Sequence, residues 1–131
     1  MPLCPTVTYC CDNPGSLWCW ACGVECPQTS TILVPLPLPE FPGRDRLLEI
    51  DREWRANKDA DELVLEMASI LEKAGDDSTA GRLYQRISDV NITSINDLDK
   101  ARVVNEALRS QSRLLNRQRR AINKALKKVG G

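Results

Sequence analysis

Residues 101–129 read ARVVNEALRSQSRLLNRQRRAINKALKKV. Within them Ala101, Val104, Leu108, Gln111, Leu115, Gln118, Ile122, Ala125 and Val129 follow three-four spacing without a slip. Side chains three and four apart are neighbours on an α-helix, so these positions share one face. The repeat runs for four heptads, which supports a coiled-coil-like seam. Gln111 and Gln118 fall in that seam, where a polar residue weakens pairing and can fix register. Upstream, Ser94 with Asp97 resembles a capping box that uses Asp in place of Glu or Gln, and marks the helix start.

Two further helices are expected on the N-terminal side. Arg44–Ala74 lies between Pro42-Gly43 and Gly75-Asp76-Asp77, a start signal and a left-handed stop. From Ala60 onward, Leu63, Met67, Ile70 and Ala74 continue a stripe that Val64 and Leu71 widen into a core face. Between Trp54 and Ala60 the repeat loses its step, which predicts a kink or a break. Ser78–Asp89 predicts a shorter helix capped by Asp77 or Ser78, with Ala80, Leu83, Tyr84, Ile87 and Val90 at helical offsets. Gly81 weakens it by about 0.5–1 kcal/mol relative to Ala, so packing must hold it.

The fold class expected is therefore all-α: a helical hairpin or small three-helix bundle with a long C-terminal helix, preceded by a Cys-rich irregular segment. The three helices would be about 46, 18 and 52 Å long at 1.5 Å per residue. In an up-down-up arrangement the short middle helix leaves much of the third uncovered, and its Leu-Ile seam then needs a partner. The alternative folds the middle helix across and pairs the two long helices antiparallel, the acidic first against the basic third, so that the chain is nearly self-sufficient.

Charge divides the chain into three parts. Residues 1–39 carry only Asp12 and Glu25, residues 40–99 sum to −7, and residues 100–131 sum to +9, so the total is zero. The composition gives three regions: a Cys-rich segment at 1–30, a Pro-rich linker at 31–43 and a helical domain at 44–131. The break near residue 40 is sharp enough for the Cys-rich segment to fold apart from the helices. The linker alternates proline as a polyproline spacer does, and Pro39–Arg44 has the PxxPxR form that SH3 grooves accept.

All six cysteines lie in the first region. Cys19-Trp-Ala-Cys22 has the gap that lets two thiolates grip one ion, and Cys26 follows. With Cys10 or Cys11 as the fourth ligand, the candidate metal set is Cys11, Cys19, Cys22 and Cys26, and zinc is the expected ion. Three other readings use the same residues: S-acylation beside Trp18 and Trp20, disulfide or redox chemistry, and an idle tail. Met1–Pro5 lacks the basic n-region of an export signal, and no window of about 20 apolar residues spans a bilayer. The expected location is intracellular: cytoplasmic, at a membrane surface, or nuclear. Asn91-Ile92-Thr93 fits a glycosylation sequon and is read as chance.

Histidine is absent, which excludes a Ser-His or Cys-His pair within this chain. No nucleophile has a visible base, so an enzyme is not expected. The expected function is an assembly or adaptor subunit that pairs with a partner helix, its own chain or another, through Val104, Leu108, Leu115 and Ile122. The alternative is a small nucleic-acid-binding protein built from a Cys4 zinc module and an Arg-rich helix. It would use Arg109, Arg113, Arg117, Arg120, Lys124 and Lys127, which fall on outer heptad positions that face water and suit phosphate or anionic lipid. A heptad seam with glutamine beside a cysteine cluster resembles vesicle-fusion and tethering proteins in its heptads alone, and implies no activity.

Overall fold

The computed structural model describes residues 3–27, 37–91 and 98–130. Among them are six helices and no strand: α1 Val7–Asp12, α2 Leu17–Cys22, α3 Arg44–Ala56, α4 Asp61–Lys73, α5 Asp77–Asn91 and α6 Leu98–Val129. The all-α class and the long C-terminal helix are as expected. The predicted first helix is two, α3 and α4, broken over 57–60 where the apolar repeat loses its step. The Ser94–Asp97 capping box and residues 31–36 of the linker lie outside the described residues.

α4 is the hub and packs against α3, α5 and α6. Its turn into α5 is tight because Gly75 sits at φ 101°, a conformation that costs glycine little. The last carbonyls of α4 are satisfied there, with Asp76 N–H donating to the Leu71 carbonyl at 2.9 Å and Gly75 N–H to that of Glu72 at 3.0 Å. Asp76, rather than Asp77 or Ser78, caps α5: its Oδ1 accepts from Thr79 N–H at 3.0 Å. At the start of α3, Gly43 has φ 90°, and a Cβ there would meet Ile70 Cγ2 at 2.8 Å, so α4 approaches the backbone itself.

The Cys-rich segment precedes the bundle as expected, carries the two short helices α1 and α2, and packs on the bundle. Its six cysteines form three disulfides, Cys4–Cys22, Cys10–Cys19 and Cys11–Cys26, which brace α1 and α2 against each other. Leu17, Trp18 and Ala21 belong to the same core as Leu47, Ile50, Trp54, Met67, Leu83 and Ile87. Trp18 is fully buried, edge-on to both Tyr9 and Phe41 at centroid distances of 5.6 and 6.1 Å. Phe41 packs here from the end of the linker, so the described parts of the Cys-rich segment and of the helical domain share one core although their compositions differ.

The anchor between the two parts is Asp51, a fully buried residue of α3. One carboxylate oxygen accepts from Tyr9 Oη at 2.6 Å and Ser16 Oγ at 2.7 Å. The other accepts from the amides of Leu17 at 2.8 Å and Trp18 at 3.3 Å. Burying a charge is costly unless donors surround it, and here α1 and the N-terminus of α2 supply them. Burial, then this bond to Asp51, pushes the Tyr9 hydroxyl well above its ordinary pKa.

Candidate partner-binding helix

α6 has two halves. Its first half is held by the bundle: Val103, Val104, Ala107, Ser110 and Leu114 are buried against α4 and α5. From Leu115 to Gly130 every side chain is exposed. α5 begins at Asp77, beside Arg117, and past that point α6 stands clear of the bundle.

Two features of the sequence therefore meet different fates. Of the seam residues, Val104 is in the core, whereas Leu108, Leu115 and Ile122 are exposed at 50%, 64% and 52%. Leu126 and Val129 extend the same exposed stripe. Large apolar side chains lined up on one face of a projecting helix are not what a self-sufficient surface looks like. The face that enters the core lies about a quarter-turn round the helix from this stripe and shares Val104 with it, and beyond Leu114 the seam is left uncovered. That division was not legible from spacing alone.

The basic residues also divide. Arg113 and Arg117 are held by acids of the bundle. Glu72 takes Arg113 Nη2 at 2.7 Å and Arg117 Nη2 at 3.0 Å, while Asp77 takes Arg117 Nη1 at 2.7 Å. Tyr84 Oη donates to the same Glu72 at 3.0 Å. At the other end Lys100 Nζ donates to Asp61 at 2.7 Å, and Asn91 Nδ2 donates there at 3.0 Å. Acids of α4 thus meet cations of α6, but Asp61 and Glu72 meet Lys100 and Arg113 in the same order along both helices, so α4 and α6 run parallel. α6 packs mainly on α5, and the antiparallel pairing is not what forms. Among the described residues no carboxylate forms an ion pair with Arg109, Arg120, Lys124 or Lys127.

The clamp around Glu72 titrates at both ends of the pH scale. The Arg113 hydrogen bond holds its carboxyl down at about 2, against partial burial and with help from Tyr84 and Arg117. Burial, then the bond to Glu72, raises Tyr84 to about 12. A lowered carboxyl contributes stability that is complete above its unfolded pKa of 4.5 and lost as pH falls through about 2. A raised phenol contributes stability below its unfolded 10.0 that is lost as pH rises through about 12. Thermal midpoints should hold between these limits and fall outside them, and Glu72→Gln should shallow the acid limb. An acid limb identical in wild type and Glu72→Gln would show that the clamp carries no stability.

Where α6 leaves the bundle a groove of about 650 Å³ opens between it and the start of α5. Gly81 and Gln85 line one wall, and Gln111, Leu115, Gln118 and Ala121 the other. Gln111 and Gln118 are thus not buried in a seam; they face this groove.

The expected metal ligands are arranged otherwise. Cys11 is bonded to Cys26, Cys19 to Cys10 and Cys22 to Cys4. A disulfide sulfur is no thiolate, so this oxidised form presents no four-sulfur set, and it leaves no thiol for acylation. Cys4, Cys22 and Asp76 do bring ligand atoms within 4.8 Å of one another. However, the two sulfurs are bonded together, and Asp76 is occupied by the amides of Leu3 and Thr79. Trp20 is half exposed but lies against Arg82 and Arg86, with guanidinium carbons 5.1 and 4.7 Å from its ring centroid. Asn91 of the sequon is buried, its amide spent on Asp61 and the Ile87 carbonyl, so a glycan there and the folded bundle exclude each other.

Set against known proteins, the chain matches no family model, no curated protein and no solved structure. No helix among the described residues is long and apolar enough to cross a membrane.

Proposed function

We propose that the chain is a non-enzymatic docking subunit, and that a partner helix binds along the projecting half of α6. The observation that carries this reading is the exposed stripe Leu108, Leu115, Ile122, Leu126 and Val129 on a helix that has left its bundle. The rest of the fold then has a clear part to play. Core packing and the Glu72 clamp fix the first half of α6, which presents the second half at a set angle. Preorganised display lowers the entropic cost of association.

Three disulfides favour an oxidising compartment over the intracellular location expected from the sequence, since such bonds persist outside the reducing cytosol. The nucleic-acid reading loses ground for two reasons. Its zinc module has no free thiolates in this form, and two of its six basic residues are neutralised within the chain.

A photo-reactive residue at Gln118 in the full chain tests the proposal in the cells that make it. Wild type should form discrete protein cross-links, and Leu115→Asp with Ile122→Asp should lose them. Both side chains are exposed, so the variant should melt with wild type. Identical cross-links from the double variant, or none from wild type, would remove the docking role.

A further inference from the structure

The bundle begins a pattern on α6 that it does not complete. Where α4 and α5 meet α6, buried Ala107 and Leu114 are edged by ion pairs from Glu72 and Asp77 to Arg113 and Arg117. Arg113, Arg117, Arg120, Lys124 and Lys127 continue at spacings of 4, 3, 4 and 3, which is one ridge of a helix. Acids of the chain meet its first two members. Among the described residues none pairs with the last three.

Helical spacing also fixes what lies between this ridge and the apolar stripe. Gln118, Ala121 and Ala125 fall between Leu115, Ile122 and Val129 on one side and Arg117 and Lys124 on the other. The projecting half therefore offers a strip with an apolar edge, a floor of small or neutral side chains that ends at Lys128, and a cationic edge. The floor runs into the groove beside Gly81, where a helix can approach closely.

We propose that this strip seats an acidic amphipathic helix of a different protein chain, which prolongs the bundle past the turn between α4 and α5. The proposal rests on the docking role above and adds the chemistry of the partner. Its apolar residues, three and four apart, meet Leu115, Ile122 and Val129. Asp or Glu along one flank meets Arg120, Lys124 and Lys127, repeating what Glu72 and Asp77 do for Arg113 and Arg117. Flanking charges of opposite sign set partner choice in paired helices.

Two other occupants fit less well. Residues 107–130 hold eight cations and no acid, so a second copy would set like charges together. A flat anionic lipid surface seated on the stripe would leave the ridge on the far side of the helix. Only an occupant lying on the floor reaches both edges.

Selection from a displayed library tests this. The probes are helical peptides with Leu at seam positions and Glu, Lys or Gln drawn at random on both flanks, offered to the full disulfide-bonded chain. Wild type should enrich Glu over Lys at least tenfold on one flank. Arg120→Glu with Lys124→Glu and Lys127→Glu should reverse that preference, and Leu115→Asp with Ile122→Asp should select nothing. All five side chains are exposed, and unchanged melting will certify the folds. A selection blind to charge, or rich in Lys, overturns the acidic partner and leaves the docking role standing. Recovery of no peptide by wild type overturns both. Sedimentation of wild type as a dimer assigns the strip to a second copy, and phosphatidylserine vesicles that outcompete the best peptide assign it to lipid; either result overturns the proposal.

Discussion

Asp51→Ala should cost this protein about 3–5 kcal/mol, because it takes the shared acceptor from four donors, with water relieving some of the loss. The substitution leaves the Tyr9 hydroxyl, the Ser16 hydroxyl and the amides of Leu17 and Trp18 without their acceptor in a buried site. Each orphaned buried donor costs about 1–3 kcal/mol. Water can relieve some of them, so the sum is an upper bound. A domain of this size is stable by about 5–15 kcal/mol in total, so the midpoint of thermal unfolding should fall by about 10 °C or more. Asp51→Asn should fall between wild type and Ala, because one of its two polar atoms still accepts. Tyr9→Phe removes a single donor and should cost only about 1 kcal/mol. An Ala variant that melts within about 2 °C of wild type would refute Asp51 as the anchor.

The helices were legible because their burial is periodic. The three-four spacing from Ala101 onward needs one apolar face, and the lost step after Trp54 marks where α3 ends. The left-handed stop at Gly75 was legible because glycine accepts that conformation at low cost. What escaped was long-range pairing. Six cysteines allow 15 full pairings, and spacing does not choose among them. Cys19 and Cys22 look like a hook for one ion, yet on α2 Cys19 faces Cys10 of α1 and Cys22 faces Cys4. Asp51 falls four residues after Leu47 and three before Trp54, on the apolar face of α3, but spacing alone does not say what an acid there would bind. Only the docking of α1 and α2 buries it.

The same long-range logic divides α6. Val104, Leu108, Leu115 and Ile122 are equivalent by spacing, but α5 covers the helix only as far as its own start at Asp77. Length, rather than pattern, decides which of them find a partner within the chain. The basic residues obey the same limit, with Arg113 and Arg117 inside it and Arg120, Lys124 and Lys127 beyond.

Full reduction by a dithiol should release residues 3–27 from the bundle while most of the helix persists. All three disulfides join cysteines within residues 4–26, so none ties this segment to α3–α6. They act by holding α1 and α2 in the one arrangement that aims four donors at Asp51 and Trp18 into the core. Closing a loop of about 15 residues removes about 3 kcal/mol of chain entropy from the unfolded state. The three loops interleave, so their contributions overlap rather than add. Once they are open, the segment must order itself against about 1–2 kcal/mol of backbone entropy per residue, with two six-residue helices too short to be stable alone. Tryptophan emission should shift to the red as Trp18 enters water, while the far-ultraviolet helical signal falls by a small fraction, because α6 alone holds 32 residues. Single pairs should rank by burial. Replacing Cys10 and Cys19, both 6% exposed, should cost more than replacing Cys11 and Cys26 at the surface, because the first change also opens the core. If reduction leaves tryptophan emission unchanged, packing alone orders the segment and the disulfides are dispensable. If the helical signal collapses as well, α3–α6 depend on the Cys-rich segment for their core, since Leu47, Ile50 and Trp54 would then be left facing water.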